Sequence, residues 1–188
     1  CVRCNVSRRI AMLSMHTSPL AALGGKETGG MNVYVRELAR VLAARGWQID
    51  IYTRAQSEEP DIVLDQPGRG CRTIQIAAGP RAAIERRDVF QYAAEFAERV
   101  LRFAADEGLA YDLVHSHYWV SGWVARELRA HWNVPIVHMF HTLGRMKDLV
   151  NNGSGTGEAD ERNRIEQEIL CFADRVVAAT PLDRQQML

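Results

Sequence analysis

Three groups of residues in this chain have types and spacings that can do chemistry. The first is Gly29-Gly30-Met31-Asn32, between a strand-like run, Ile10-Ala11-Met12-Leu13-Ser14-Met15, and an amphipathic helix that begins near Gly30. Glycines at a helix start let the backbone come close to a ligand. The unpaired N–H groups and the positive end of the helix dipole then attract phosphate. The stretch reads as a site for a phosphorylated ligand, with a plain tight turn as the alternative. It contains no G-x-G-x-x-G, and Met31 stands where a P-loop needs Lys, so neither common nucleotide fingerprint is present.

The second group is histidine. Five of the six, His16, His115, His117, His138 and His141, fall in or just after strand-like segments. His115 and His117, two apart, share one strand face. An H-x-H on a strand can ligate zinc in a metal-dependent hydrolase, but that chemistry needs an acidic ligand. Asp112 precedes its strand and Asp148 lies past a loop. The other reading is that His115 and His138 are hydrogen-bonded core residues. His141 follows a strand directly, where a histidine can act on a ligand.

The third group is basic: Arg86-Arg87, Arg145 with Lys147, and Arg162 with Arg164. Each pair alone reads as a solvated face. Together, next to the hydroxyls of Tyr118 and Thr142, they can bind phosphate through charge-assisted hydrogen bonds. No G-x-S-x-G nucleophile motif and no paired-carboxylate signature accompany them.

The elements that position these groups follow from periodicity. Residues 9–15 read as a buried strand and 16–29 as a loop. Residues 30–45 read as a helix with Val35, Leu38, Ala39 and Leu42 on one face, closed by Gly46. Ile49–Tyr52 and Arg72–Ala77 read as strands, separated by a polar excursion over 55–70. A long helix is predicted over 88–106, then a strand over Leu113–His117. A helix capped by Ser121 carries Val124, Leu128 and Trp132 on one face. Val134–Phe140 is a fifth strand, 151–157 a mobile loop, 159–172 a helix, and Arg175–Ala179 a last strand before a helix near Pro181. Strands alternating with helices predict an α/β fold, a Rossmann-like parallel sheet with helices on both faces. Ligands of such sheets lie beyond the strand C-termini at the switch point. That rule gathers 16–18, 79–87, 117–119 and 141–142 at one edge.

Composition sets the outer bounds. The 188 residues suffice for one sizeable core, and 47% hydrophobic with 24% charged residues suits a globular domain. Zero formal net charge argues against a dedicated nucleic-acid binder. No apolar run approaches the roughly 18 residues of a membrane span. Cys1 and Cys4 form a C-x-x-C without a second pair, and Cys71 and Cys171 read as apolar fillers, which together suggest a reduced, cytoplasmic setting.

Several segments together resemble the N-terminal domain of retaining GT-B glycosyltransferases. They are Arg9–Met15 with His16-Thr17-Ser18-Pro19-Leu20, Gly29–Val35, Tyr111–Trp119, His138–Leu143, and Ala173-Asp174-Arg175 with Ala179-Thr180. The subgroups most similar are the inositol-phosphate N-acetylglucosaminyltransferase of mycothiol synthesis and the sucrose-phosphate synthases. The resemblance implies one half of a GT-B fold. An acceptor-binding domain would occupy 9–188 behind a disordered or extended 1–8, and a donor-binding C-terminal domain would be missing. It implies a retaining hexosyltransferase that moves a sugar from a nucleotide-sugar donor to a phosphorylated sugar or cyclitol acceptor, with no metal or cofactor. By position, Gly29 and Gly30 would meet the donor diphosphate and His141 the reacting centre. His16, Asn32, Arg86, Tyr118, Thr142, Lys147 and Arg162 would hold the acceptor. Arg86 stands where these relatives usually have Lys, and Met31-Asn32 favours the mycothiol-like subgroup. The resemblance further implies a partial enzyme, inactive alone. The residues by themselves leave open the metal-dependent hydrolase and a non-catalytic sugar-phosphate-binding module.

Overall fold

In the computed structural model, which describes residues 8–20, 29–58, 60–64, 70–144 and 157–187, seven strands form one sheet. They are β1 (Arg9–Leu13), β2 (Gln48–Arg54), β3 (Ile62–Leu64), β4 (Cys71–Ile76), β5 (Leu113–His117), β6 (Ile136–Met139) and β7 (Arg175–Val176). The helices among the described residues are α1 (Gly30–Ala44), α2 (Ala93–Asp106), α3 (Trp119–Trp132), α4 (Gly157–Phe172) and α5 (Pro181–Gln186). Strand order across the sheet is β3-β4-β2-β1-β5-β6-β7. The central strands are buried along nearly their whole length, β1 from Ile10 onward and β5 from Val114 onward. Such strands need helices on both sides of the sheet.

The two faces are covered differently. On one, Val35 and Ala39 of α1 pack against Ile10, Met12, Ile49, Ile51 and Cys71. On the other, Phe96, Ala97 and Val100 of α2, Val124 and Leu128 of α3, and Ile165 and Ile169 of α4 pack against Leu13, Tyr52, Ile74, Val114 and Ile136. Phe96 is fully buried; one such side chain contributes about 1.5–3 kcal/mol. At the N-terminal edge of the sheet, Asp50 closes the structure with a satisfied ionic network. It takes Arg9 Nη1 at 2.8 Å, Arg72 Nε at 2.6 Å and the Tyr111 hydroxyl at 2.7 Å.

The chain runs outward from β1 through β2 to β4, returns, and continues from β5 to β7. The order therefore reverses between β1 and β5, and ligands of open α/β sheets bind above such a point. Backbone hydrogen bonds continue the pairing past the strand ends. Ser14 N–H donates to Tyr52, Arg54 N–H to Met15, Tyr118 N–H to Met139 and Val177 N–H to His138.

Four features differ from the sequence reading. The excursion over 55–70 contains β3, antiparallel to β4, so the sheet is mixed rather than wholly parallel. Three residues at an edge, with Ile62 exposed, are too few to show a period. The helix expected from 88 begins at Ala93, after short 3₁₀ turns at Arg86–Asp88 and Phe90–Tyr92. The Phe90 ring turns inward there, 4.9 Å from Trp119 and 5.6 Å from Trp123. Ser121 does not cap α3, which starts two residues earlier; its Oγ accepts the Met15 N–H at 3.1 Å. The helix expected from 159 starts at Gly157. Residues 1–7, with Cys1 and Cys4, and the glycine-rich run over 151–156 lie outside the described residues.

Candidate functional site

Two strained backbones mark the edge above the switch point. Among the described non-glycine residues, Tyr118, Asn133 and His141 have positive φ. Asn133 ends α3 in the left-handed conformation common at that position. Tyr118 (φ 72, ψ 155) and His141 (φ 63) instead terminate the adjacent strands β5 and β6. Such conformations cost about 1–3 kcal/mol each and concentrate where side-chain placement matters more than backbone ease. Tyr118 is held by its N–H to Met139 at 2.9 Å and by its carbonyl, which accepts from Gly122 at 3.0 Å.

The strain at Tyr118 aims its side chain at α4. Arg162, 8% exposed, donates through Nε to Glu166 Oε1 at 2.7 Å and through Nη1 to the Tyr118 hydroxyl at 3.2 Å. Its Nη2 donates to the Thr142 carbonyl at 2.6 Å and to Thr142 Oγ1 at 3.3 Å. The guanidinium also lies over the Tyr118 ring, 4.9 Å from its centre. Glu166 neutralises the buried charge and is itself fixed by the Gly144 N–H at 2.9 Å. Gly144 leaves room for nothing more: a Cβ there would stand 2.5 Å from Asn163 Oδ1 and 3.2 Å from Arg162 Nε. The Tyr118 and Thr142 hydroxyls accept from Arg162, so each keeps its own O–H to give. Thr142 is exposed. A cation with two donor hydroxyls around it can receive an anionic ester.

His16, on the loop after β1, places its ring 4.3 Å from that of Tyr118 across the switch point. Asn32 holds this loop from α1. Its Nδ2 donates to Thr17 Oγ1 and to the Ser18 carbonyl, both at 2.8 Å, and the residue is 2% exposed. Gly29 and Gly30 are exposed, and a Cβ on either meets nothing within 4 Å among the described residues. Gly29 lies in extended backbone. Neither glycine is required by φ or by packing, and the open space lies before the first N–H groups of α1.

On the α1 side of the sheet, His117 Nδ1 and His141 Nε2 are 3.0 Å apart. Tyr34 of α1 sets its ring edge-on to both, at 5.9 and 5.3 Å. The His115 ring lies tilted at 43° against that of His117, with ring centres 4.3 Å apart. Burial pushes His141 and His115 down to about 4 and His117 well below the ordinary histidine value. These imidazoles are therefore neutral at pH 7. His138 lies on the other face, bonded to Ser116 Oγ at 2.7 Å and lowered by burial to about 3. The His117 ring lies 4.3 Å from that of His115 and 5.2 Å from that of His141. Among the described residues no three His, Cys, Asp or Glu side chains could share a metal ion. The hydrolase reading has no geometric basis here.

The structure thus brings together Tyr118, Thr142, Arg162 and His16, and separately His141 with His117. Arg86 sits in the turn after the 79–85 loop, four residues before Phe90, whose ring packs on Trp119 beside Tyr118. Arg164 instead pairs with Glu168 on the exposed face of α4. Lys147 and Arg145 lie outside the described residues. Arg54 escaped the sequence reading. It is 1% exposed and donates to the Pro80 and Ala82 carbonyls, both at 2.7 Å, tying down the loop that leads to Arg86. Glu166 escaped it too, because Arg and Glu four apart on a helix read as a solvated pair. Among the described residues no helix is long and apolar enough to cross a membrane.

The family known as "Glycosyl transferase 4-like domain" matches residues 29–188. The chain is 41% identical over 183 residues to the D-inositol 3-phosphate glycosyltransferase of Corynebacterium diphtheriae, covering 97% of this chain and 43% of that protein. It is 42% identical to the protein of the same name from Thermobifida fusca, covering 96% and 42%. Among solved structures, the sucrose-phosphate synthase of Thermosynechococcus elongatus superimposes with a TM-score of 0.85 at 35% identity, over 96% of this chain and 44% of that one. The chain spans less than half the length of these relatives. The mostly parallel sheet, the edge it builds and these likenesses agree: the chain belongs to the glycosyl transferase 4-like domain family, as a glycosyltransferase domain of GT-B type.

Proposed function

We propose that this domain binds the acceptor in a retaining hexosyl transfer from a nucleotide-sugar donor to a phosphorylated cyclitol or sugar. The observation that carries the reading is the convergence of Arg162, Tyr118 and Thr142 beside the switch point. These groups hold the acceptor phosphate, with Arg86 and Lys147 adding charge and His16 and Asn32 shaping the polyol side. The names of the relatives, an inositol 3-phosphate glycosyltransferase and a sucrose-phosphate synthase, support an anionic ester among the ligands. A donor diphosphate lies at the open start of α1, where Gly29 and Gly30 admit it and the helix dipole favours its charge. This arrangement stabilises negative charge on the leaving group as the glycosidic bond breaks. A second, donor-binding domain completes the cleft and no metal is required. His141, neutral and partly exposed, faces the reacting sugar from the acceptor side.

The test is kinetic and uses the complete enzyme. Arg162→Met and Thr142→Val raise KM for a phosphorylated acceptor by at least about tenfold, the loss of a charge-assisted hydrogen bond, and change kcat less. An unchanged KM would remove the phosphate assignment.

A further inference from the structure

We infer that His117 is a positioning residue that locks His141 in the Nδ1–H tautomer, so that His141 meets its ligand as a hydrogen-bond donor and not as a base. Two nitrogens 3.0 Å apart, His117 Nδ1 and His141 Nε2, share one proton. One ring must donate and the other accept. The second nitrogen of each ring decides which. His117 is fully buried, and its Nε2 has no hydrogen-bond partner among the described residues. If His141 donated, His117 Nδ1 would accept and the proton of His117 would sit on Nε2, an N–H buried with nothing to receive it. If His117 donates, Nε2 carries only a lone pair, a lesser deficit than an orphaned donor.

The second arrangement fixes His141 in turn. Its Nε2 accepts, so its proton is on Nδ1, the ring nitrogen left for a ligand. Tyr34, edge-on to both imidazoles, hinders either ring from turning. The positive φ of His141 sets the start of its side chain. The lowered proton affinities of both rings agree, since neither takes a second proton near neutrality. The inference deepens the acceptor-domain reading and rests on it for its catalytic meaning. There, an N–H donor at His141 bonds an oxygen of the sugar or of the leaving group. Removal of the acceptor proton then falls to another group.

Long-range proton–nitrogen NMR of the imidazoles, on the ¹⁵N-labelled 188-residue chain at pH 7.5, reads the tautomers without any activity. The expected spectrum has His117 and His141 both protonated at Nδ1 and bare at Nε2. A His141 bare at Nδ1, or protonated at both nitrogens, would overturn the inference. In His117→Phe, which keeps a ring but no donor, His141 should shift toward the Nε2–H form that an unconstrained histidine side chain prefers. Retention of the Nδ1–H form there would also overturn it. Should His117→Phe not fold, the parent spectrum decides alone. In the complete enzyme, His117→Phe should lower kcat by about tenfold or more and leave acceptor KM within about twofold. A His141→Gln enzyme transferring at the full rate would remove the role proposed for His141 and leave the tautomer assignment standing.

Discussion

Mild acid should unfold this domain, and the reason is histidine. His115, His117 and His138 are buried and neutral, with proton affinities pushed down by burial to about 4 for His115, well below ordinary for His117 and about 3 for His138. In the unfolded chain each titrates near 6.5. Above that pH both states are neutral and nothing is lost. Below it the unfolded chain takes up protons that the folded chain refuses, so stability falls with falling pH until the folded values are reached. Each histidine then removes up to about 1.4 kcal/mol per pH unit, and about 1.6 kcal/mol between pH 6.5, where the unfolded ring is half protonated, and pH 5. Three together remove about 5 kcal/mol, a large share of the roughly 5–15 kcal/mol typical of a domain. Urea unfolding followed by circular dichroism at pH 7.5, 6.5 and 5.5, at constant ionic strength, measures the slope directly. His138→Gln should flatten it by one histidine's share. A stability that stays level from pH 7.5 to 5.5 would show that these histidines are not buried and neutral in the folded chain.

Two further outcomes follow from particular contacts. Gly30→Ala adds a Cβ into open space at a helix start, so the fold should be as stable or gain about 0.5–1 kcal/mol. Donor KM in the complete enzyme should nonetheless rise several-fold, and thermal melting with donor kinetics separates the two effects. Arg54→Met removes the donors to the Pro80 and Ala82 carbonyls and should cost about 1–3 kcal/mol. Amide exchange over 79–88 should quicken while β1 and β5 stay protected; unchanged exchange in that loop would show that Arg54 does not hold it.

Much of the architecture was legible because it is local. The stripe of α2, the apolar run of β1 and the helix start at Gly30 follow from spacing alone, and alternation implied the edge where the ligand groups meet. β3 was not legible, since it exists through its pairing with β4 and three residues carry no period. Arg162, Tyr118 and Thr142 were legible as charge and hydroxyl chemistry, and the resemblance assigned them to an acceptor phosphate; the structure shows why they act together: α4 lays Arg162 across the ends of β5 and β6. The partners that make this work were hidden. Glu166 looks like half of a surface pair, Gly144 like loop filler, and Arg54 like the ordinary end of a strand. The His117–His141 contact joins residues from two strands, and nothing in either strand announces it. Local patterns show which face is buried; they do not show what a buried polar group touches.

The proposed acceptor site stands or falls on whether Arg162, Tyr118 and Thr142 together hold a phosphate ester. Isothermal titration of the 188-residue chain with inositol 3-phosphate and with unphosphorylated inositol decides this. Only the phosphate should bind measurably, with affinity reduced at least about tenfold in Arg162→Met and little changed in Arg164→Met, whose guanidinium pairs on the solvent face. Equal affinity for the two ligands, or an Arg162→Met chain that binds the phosphate as well as the parent, would contradict it.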